Sequence, residues 1–163
     1  MGSERGRRRA RAGALPPDRG HELGDHTADA RIHAWATTLP ELFEEAALAL
    51  SSLSAEVESD ARTTWSEVEL DAHDLDGLAF AWLNELIGMT ELERRAIAST
   101  HVAVTRTLEG DESTGWRIRA RVELVDYTPG GTRALRHVKA ATMHGLHVRR
   151  QTDGWSIDAV VDI

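Results

Sequence analysis

The chain contains no cysteine. That excludes disulfides, thiolate nucleophiles and cysteine-ligated zinc sites, and a reducing, cytoplasmic setting is expected. No apolar run approaches the roughly 18 residues that a membrane-spanning helix requires, so no membrane association is expected. Lysine is almost missing: of 19 Lys and Arg residues, Lys139 is the single lysine. Arginine serves wherever a generic positive charge is wanted, which marks the lone ammonium as a candidate for a role a guanidinium does not fill. Also missing are the His-Glu-x-x-His zinc motif, the Walker phosphate loop, the Gly-x-Ser-x-Gly nucleophile elbow and the dinucleotide fingerprint. No repeat with a period of about 20–50 residues is visible.

What is present is one domain's worth of chain. The 163 residues are 41% hydrophobic, enough to bury a core. Charge is unevenly spread. Residues 1–20 hold six Arg against Glu4 and Asp18, about +4; the whole chain is −8, so residues 21–163 carry −12. The expected organisation is a disordered basic extension over 1–20 and a single domain over 21–163. An acidic body argues against tight direct binding of nucleic acid, since phosphates are neutralised by Lys and Arg.

Periodicity supplies the elements. Residues 29–35 (DARIHAW) alternate as a half-buried strand. Thr38 and Glu41 make a capping box around Pro40, and Leu39, Leu42, Phe43, Ala46, Ala47, Leu50 and Leu53 form the stripe of an amphipathic helix. AEVESDAR reads as a loop and TTWSEVELDA as a strand. Asp74 caps a second helix whose stripe is Leu75, Leu78, Ala79, Trp82, Leu83 and Leu86. AIASTHVAVTRTL and WRIRARVELVD pair as a hairpin across GDESTG. YTPGGTR is a loop. RHVKAATMH and GLHVRR are strands that bend or bulge at Gly145, TDG is a turn, and WSIDAVVDI is the last strand. Strands collected after helices predict an α+β fold, a mostly antiparallel sheet with two amphipathic helices packed on one side. The two strand–helix units hint at a structural duplication.

Two clusters could carry chemistry. Asp25, His26 and Asp29 crowd the entrance of the first strand. Alone they fit turn-capping carboxylates and a hydrogen-bonded structural histidine. The last strand ends in Asp162 and Ile163. If it finishes beside the first strand, Asp29, Asp162 and the terminal carboxylate of Ile163 converge, and like charges so close repel unless a cation lies between them. Oxygen-only ligands suit Ca²⁺, Mg²⁺ or Mn²⁺ rather than Zn²⁺. The strand tryptophans Trp35 and Trp65 fall on polar faces and are candidates for a partner patch. The acidic rows Glu67/Glu69/Asp71 and Glu56/Glu58/Asp60 are expected to be solvated.

HELGDHTADARIHAWATTLPELFEEAALAL, FAWLNELIGM, VKAATMHGLHV and DGWSIDAVVDI, in this order, resemble segments of the archease family. The resemblance covers about residues 21–163. It implies an α+β fold related to strand–helix–strand–strand modules. It also implies a non-catalytic accessory protein of an RtcB-type GTP-dependent RNA ligase, promoting ligase guanylylation and multiple turnover in tRNA splicing and RNA repair. By the same resemblance the metal ligands are Asp29, Asp162 and Ile163, with calcium favoured and magnesium or manganese as alternatives. Asp25 and His26 match the opening motif and are expected in the second shell of the metal or in structural roles. Lys139 and His144 match the third segment and are expected at a nucleotide or ligase contact, or in a salt bridge or packing role. RNA is met only through the ligase, and a monomer is favoured. Met143 departs from the family's usual Tyr, and the loop YTPGGTRALRH is short.

Two other readings compete. One is a metal-dependent hydrolase or nuclease using Asp25, Asp29 and Asp162; against it stand the acidic body and the lack of a visible nucleophile–base pair. The other is a metal-free interaction or chaperone-like module.

Overall fold

In the computed structural model, residues 18–25, 28–58, 61–129 and 131–163 are described, Asp25 in its backbone only. His26 and Asp60, named above, lie outside them. The elements in chain order are β1 (Gly20–Asp25), β2 (Asp29–Ala36), α1 (Leu39–Ser54), β3 (Ala55–Glu56), β4 (Thr63–Ala72), α2 (Leu75–Glu93), β5 (Arg95–Glu109), β6 (Glu112–Asp126), β7 (Arg133–Ala134), β8 (Ala140–Gln151) and β9 (Gly154–Asp162).

Local chemistry sets the boundaries. Thr38 caps α1, its hydroxyl accepting from the Glu41 amide at 3.4 Å with Pro40 in the first turn. Asp74 caps α2, its Oδ1 accepting from the Gly77 amide at 2.6 Å. Alternation in β2 buries Ala30, Ile32, Ala34 and Ala36 and turns Asp29, Arg31, His33 and Trp35 outward.

The α+β expectation holds, with the sheet divided. A four-stranded sheet runs β1-β2-β9-β8, a three-stranded sheet runs β4-β6-β5, and β3 pairs with β7; all pairs are antiparallel. The helices do not lie on one side of one sheet. α1 packs on β2 and β5, α2 on β4 and β8, so both helices touch both larger sheets. This follows from the stripes: Leu42, Phe43, Ala46, Ala47 and Leu50 on α1 and Leu78, Trp82, Leu83 and Leu86 on α2 join Ile32, Ile118, Val122, Ile157 and Val161 in one buried cluster. Trp82, fully buried, donates its indole N–H to the Phe43 carbonyl at 2.9 Å and ties the helices together. Among the described residues no helix is long and apolar enough to cross a membrane.

The halves repeat each other. Ala36 ends β2 opposite Trp155, and Ala72 ends β4 opposite Trp116. A glycine precedes each tryptophan. At Gly154 (φ +150°) a Cβ would stand 2.3 Å from the Ala36 carbonyl oxygen, and at Gly115 (φ +157°) 2.3 Å from that of Ala72. A guanidinium from the neighbouring strand lies over each indole, Arg150 on Trp155 at 5.3 Å and Arg106 on Trp116 at 4.4 Å. The hinted duplication is therefore two strand–helix–strand–strand units. The second (β4, α2, β5, β6) is inserted within the first (β2, α1, then β8 and β9).

Candidate functional site

Pairing of β2 with β9 places Asp29 directly opposite Asp162. Both side chains stand on the face away from the core, where facing Cβ atoms come within about 5 Å. Asp162 is exposed and Asp29 half-buried. The Asp29 Oδ1 is enclosed and has no hydrogen-bond partner among the described residues. A carboxylate oxygen shielded from solvent without a donor is costly, and a cation opposite a second carboxylate would remove that cost.

The surrounding backbone is pinned. The Ile163 amide donates to the Ala28 carbonyl at 3.3 Å, and the Lys139 amide to the Asp162 carbonyl at 2.9 Å. The Lys139 ammonium reaches the Ile163 carbonyl oxygen at 3.4 Å. It makes no ion pair with Asp29 or Asp162 among the described residues, so the salt bridge weighed from the sequence is replaced by a main-chain contact. Asp29, Asp162, Ile163 and Lys139 thus meet, although they lie far apart in the chain. Among the described residues no three His, Asp or Glu side chains cluster as a cation site. An ion here has two carboxylates and the main-chain oxygens of Ile163 as donors. This all-oxygen set fits a hard cation.

Of the other expected residues, Asp25 is placed by its backbone alone and His144 stands apart. Asp25 ends β1 opposite Ala30, one pair beyond Asp29. His144 lies in β8 where the register with β9 shifts, between Thr142 and His147. It lines a groove on the outer face with Arg31 and His33, away from the carboxylate pair.

The sequence reading passed over Asn84. Its Oδ1 accepts from the Ala141 amide at 3.0 Å, and its Nδ2 donates to the carbonyls of Ala141 at 3.2 Å and Phe80 at 3.0 Å. Asp76, in the first turn of the same helix, accepts from the Val148 amide at 2.7 Å. α2 therefore holds edge strand β8 at two points flanking its irregular stretch. This fixes Ala141 two residues after Lys139 and blocks the edge from foreign strands. The only sequence signal was a polar residue off the apolar stripe within FAWLNELIGM.

The acidic rows are not simply solvated. On the outer face of the three-stranded sheet Asp71 pairs with Arg117 at 2.6 Å and Glu69 with Arg119 at 2.8 Å; elsewhere Glu56 pairs with Arg133. The Arg117 hydrogen bond holds the Asp71 carboxyl below the usual carboxylate range. Trp65 stacks on His101 at 5.4 Å with Arg121 over its ring at 4.7 Å. Trp35 stands beside His33, its ring centroid 5.6 Å away, with its six-membered ring over Gly20. By register this region is the twin of the carboxylate pair. Asp29 precedes Ala36 as Trp65 precedes Ala72, by seven residues, and Glu123 stands opposite Trp65 as Asp162 stands opposite Asp29. Glu123 is bound by the hydroxyls of Ser99 and Thr63, in that order the main causes of its lowered pKa. That carboxylate is satisfied by donors, where the Asp29 Oδ1 has none among the described residues.

Residues 21–163 match the archease protein family (MTH1598/TM1083). The chain is 34% identical over 145 residues to a protein archease of Pyrobaculum islandicum, covering 88% of this chain and 95% of that relative. It is 33% identical over 143 residues to one from Methanosarcina acetivorans, with the same coverage. The solution structure of Methanobacterium thermoautotrophicum protein 1598 superposes with a TM-score of 0.70 at 27% identity, covering 88% of this chain and 99% of that one.

Proposed function

Because this chain belongs to the archease family, we propose that it is a non-catalytic, ion-binding accessory protein that activates an RtcB-type RNA ligase in tRNA splicing and RNA repair. The proposed action is to promote guanylylation of the ligase and its multiple turnover in the cytoplasm, with RNA met through the ligase. The observation that carries this reading is the in-register Asp29–Asp162 pair with an enclosed Asp29 oxygen that has no hydrogen-bond partner among the described residues. In the proposal Asp29, Asp162 and the main-chain oxygens of Ile163 hold one divalent ion, calcium by preference and magnesium or manganese otherwise. The ion supplies positive charge on an acidic surface, where it neutralises two carboxylates and offers a contact to phosphate or acidic groups of the ligase. Lys139, already at the Ile163 oxygen, adds a second positive charge beside it. Asn84 keeps that arrangement in place through Ala141.

The test is guanylylation of limiting, matched ligase with GTP and Mn²⁺, with wild-type protein or with Asp29→Ala, Asp162→Ala or Lys139→Ala. Stimulation by wild type alone is expected. Equal stimulation by all the variants sinks the site assignment. RNA cleavage by this protein without ligase would favour the hydrolase reading instead.

A further inference from the structure

The outer face of the β1-β2-β9-β8 sheet holds a groove of about 490 Å³ that neither the core nor the carboxylate pair uses. Two of its strands send basic side chains into it: Arg31 and His33 from β2, and His144, His147 and Arg149 from β8, on either side of β9. On a chain of net charge −8 such a concentration is unusual. Two acids also line it, Glu22 and Asp158. Asp158 is already engaged, accepting from His33 Nδ1 at 2.7 Å and from Arg149 at 3.3 Å. Asp76 on α2 lies 3.4 Å from His147 Nδ1. Asp158 thus orients the His33 ring through Nδ1 and Asp76 lies beside the His147 ring, and among the described residues neither Nε2 has a hydrogen-bond partner. Among the described residues Arg31 has no hydrogen bond or ion pair, and the His144 ring has none either. The groove therefore keeps a free guanidinium and a free imidazole facing each other across β9, on a frame braced by Asp158.

From this geometry we infer a phosphate-binding site. Its ligand is a phosphate group carried by a small anion, a nucleotide or an RNA end. Arg31 and His144 are the ligand-contacting donors, and His33 and Arg149 form the oriented wall. A guanidinium fork matches the oxygen spacing of phosphate, and charge-assisted bonds to phosphate are the strong class of hydrogen bond. The volume suits a nucleotide-sized group. Arg31 follows Asp29 on the same face of β2, one side-chain repeat or about 7 Å away, so the groove begins where the carboxylate pair ends. The inference does not depend on an ion at that pair.

The experiment is titration of the full chain, in EDTA, with pyrophosphate, guanosine monophosphate and a 5′-phosphorylated single-stranded hexaribonucleotide. Hexaglutamate serves as a competing acidic ligand, and binding is followed by amide chemical shifts. EDTA separates this test from the ion site. Wild type is expected to bind at least one phosphate ligand, with shifts centred on residues 31, 144 and 147; the tightest ligand identifies the source. Arg31→Ala and His144→Ala are each expected to weaken binding by about tenfold, since each removes a donor to a charged group. Arg119→Ala, on the other sheet, is expected to bind as wild type. No phosphate binding at millimolar ligand, unchanged binding in both groove variants, equal loss in Arg119→Ala, or hexaglutamate bound as tightly as pyrophosphate would each overturn the assignment.

Discussion

Trp82 shows what one side chain contributes. Its ring fills the space between the helices, and its N–H satisfies the Phe43 carbonyl. Trp82→Phe keeps most of the volume and removes a second bond to a carbonyl that α1 already engages, so a loss of about 0.5–1.5 kcal/mol is expected in chemical denaturation. A wild-type midpoint in the variant would refute the bond's contribution. Glu123 makes a pH prediction. Ser99 and Thr63 hold its carboxyl below the ordinary range, and Asp126 is held down by the Arg95 hydrogen bond. A depressed folded-state pKa contributes stability that is fully present above the unfolded value, about 4, and is lost as pH falls through the folded value. Melting temperature should therefore drop between pH 5 and pH 3, and Glu123→Gln should flatten part of that drop. An identical slope in the variant would remove Glu123 from the account.

At the scale of elements the duplicated β–α–β–β units make a paired prediction. Gly154 and Gly115 occupy equivalent turns, and a Cβ at either meets a carbonyl oxygen at 2.3 Å in a backbone conformation that L side chains rarely adopt. Gly154→Ala and Gly115→Ala should each cost about 1–3 kcal/mol or more, and by similar amounts. A tolerated substitution at one position only would show that the units are not held alike. Edge strand β8 gives another test. Asn84→Ala removes both side-chain bonds to Ala141. It should cost about 1–3 kcal/mol and speed hydrogen exchange of the Ala141 amide. Exchange unchanged at that amide would mean that Asn84 does not hold this end of β8.

For the whole molecule the question is what an ion does to the fold. A ligand that binds only the folded state at about 100 times its dissociation constant adds about 2.7 kcal/mol. In a chain of this size that raises the melting temperature by several degrees. Calcium should produce this shift in wild type and not in Asp29→Ala. Removal of the like-charged neighbour should also leave the metal-free variant at least as stable as metal-free wild type, because the pair repels when empty. A calcium shift retained in Asp29→Ala would place the ion elsewhere.

Much of the architecture was legible along the chain because it rests on local chemistry. Stripes at helical spacing and caps at Thr38 and Asp74 specify α1 and α2, and alternation specifies β2, β4 and β9. β1 was not read from the pattern. GHELGD does not alternate cleanly, and the strand is held by contacts from distant residues. Arg19 and His21 bond Glu45, a charge on α1 buried beneath them. Short β3 and β7 sat inside segments read as loops, since two residues carry no periodicity. The division into two sheets was also invisible, because a stripe records that a face is buried and not what covers it. Among the candidate residues, composition singled out Lys139, and the family's motifs pointed to Asp29 and Asp162. Which atoms Lys139 touches, and that Asn84 steadies it, depends on contacts between residues 24 and 57 apart in the chain. The sequence by itself determined helices, most strands and the α+β class, since these follow from the spacing of apolar residues along a few turns. Only the tertiary structure decided that Asp29 faces Asp162 with an enclosed oxygen lacking a partner among the described residues, and that Arg31 and His144 share a groove. Register between strands far apart in the chain sets those meetings, and no local pattern encodes register at that range.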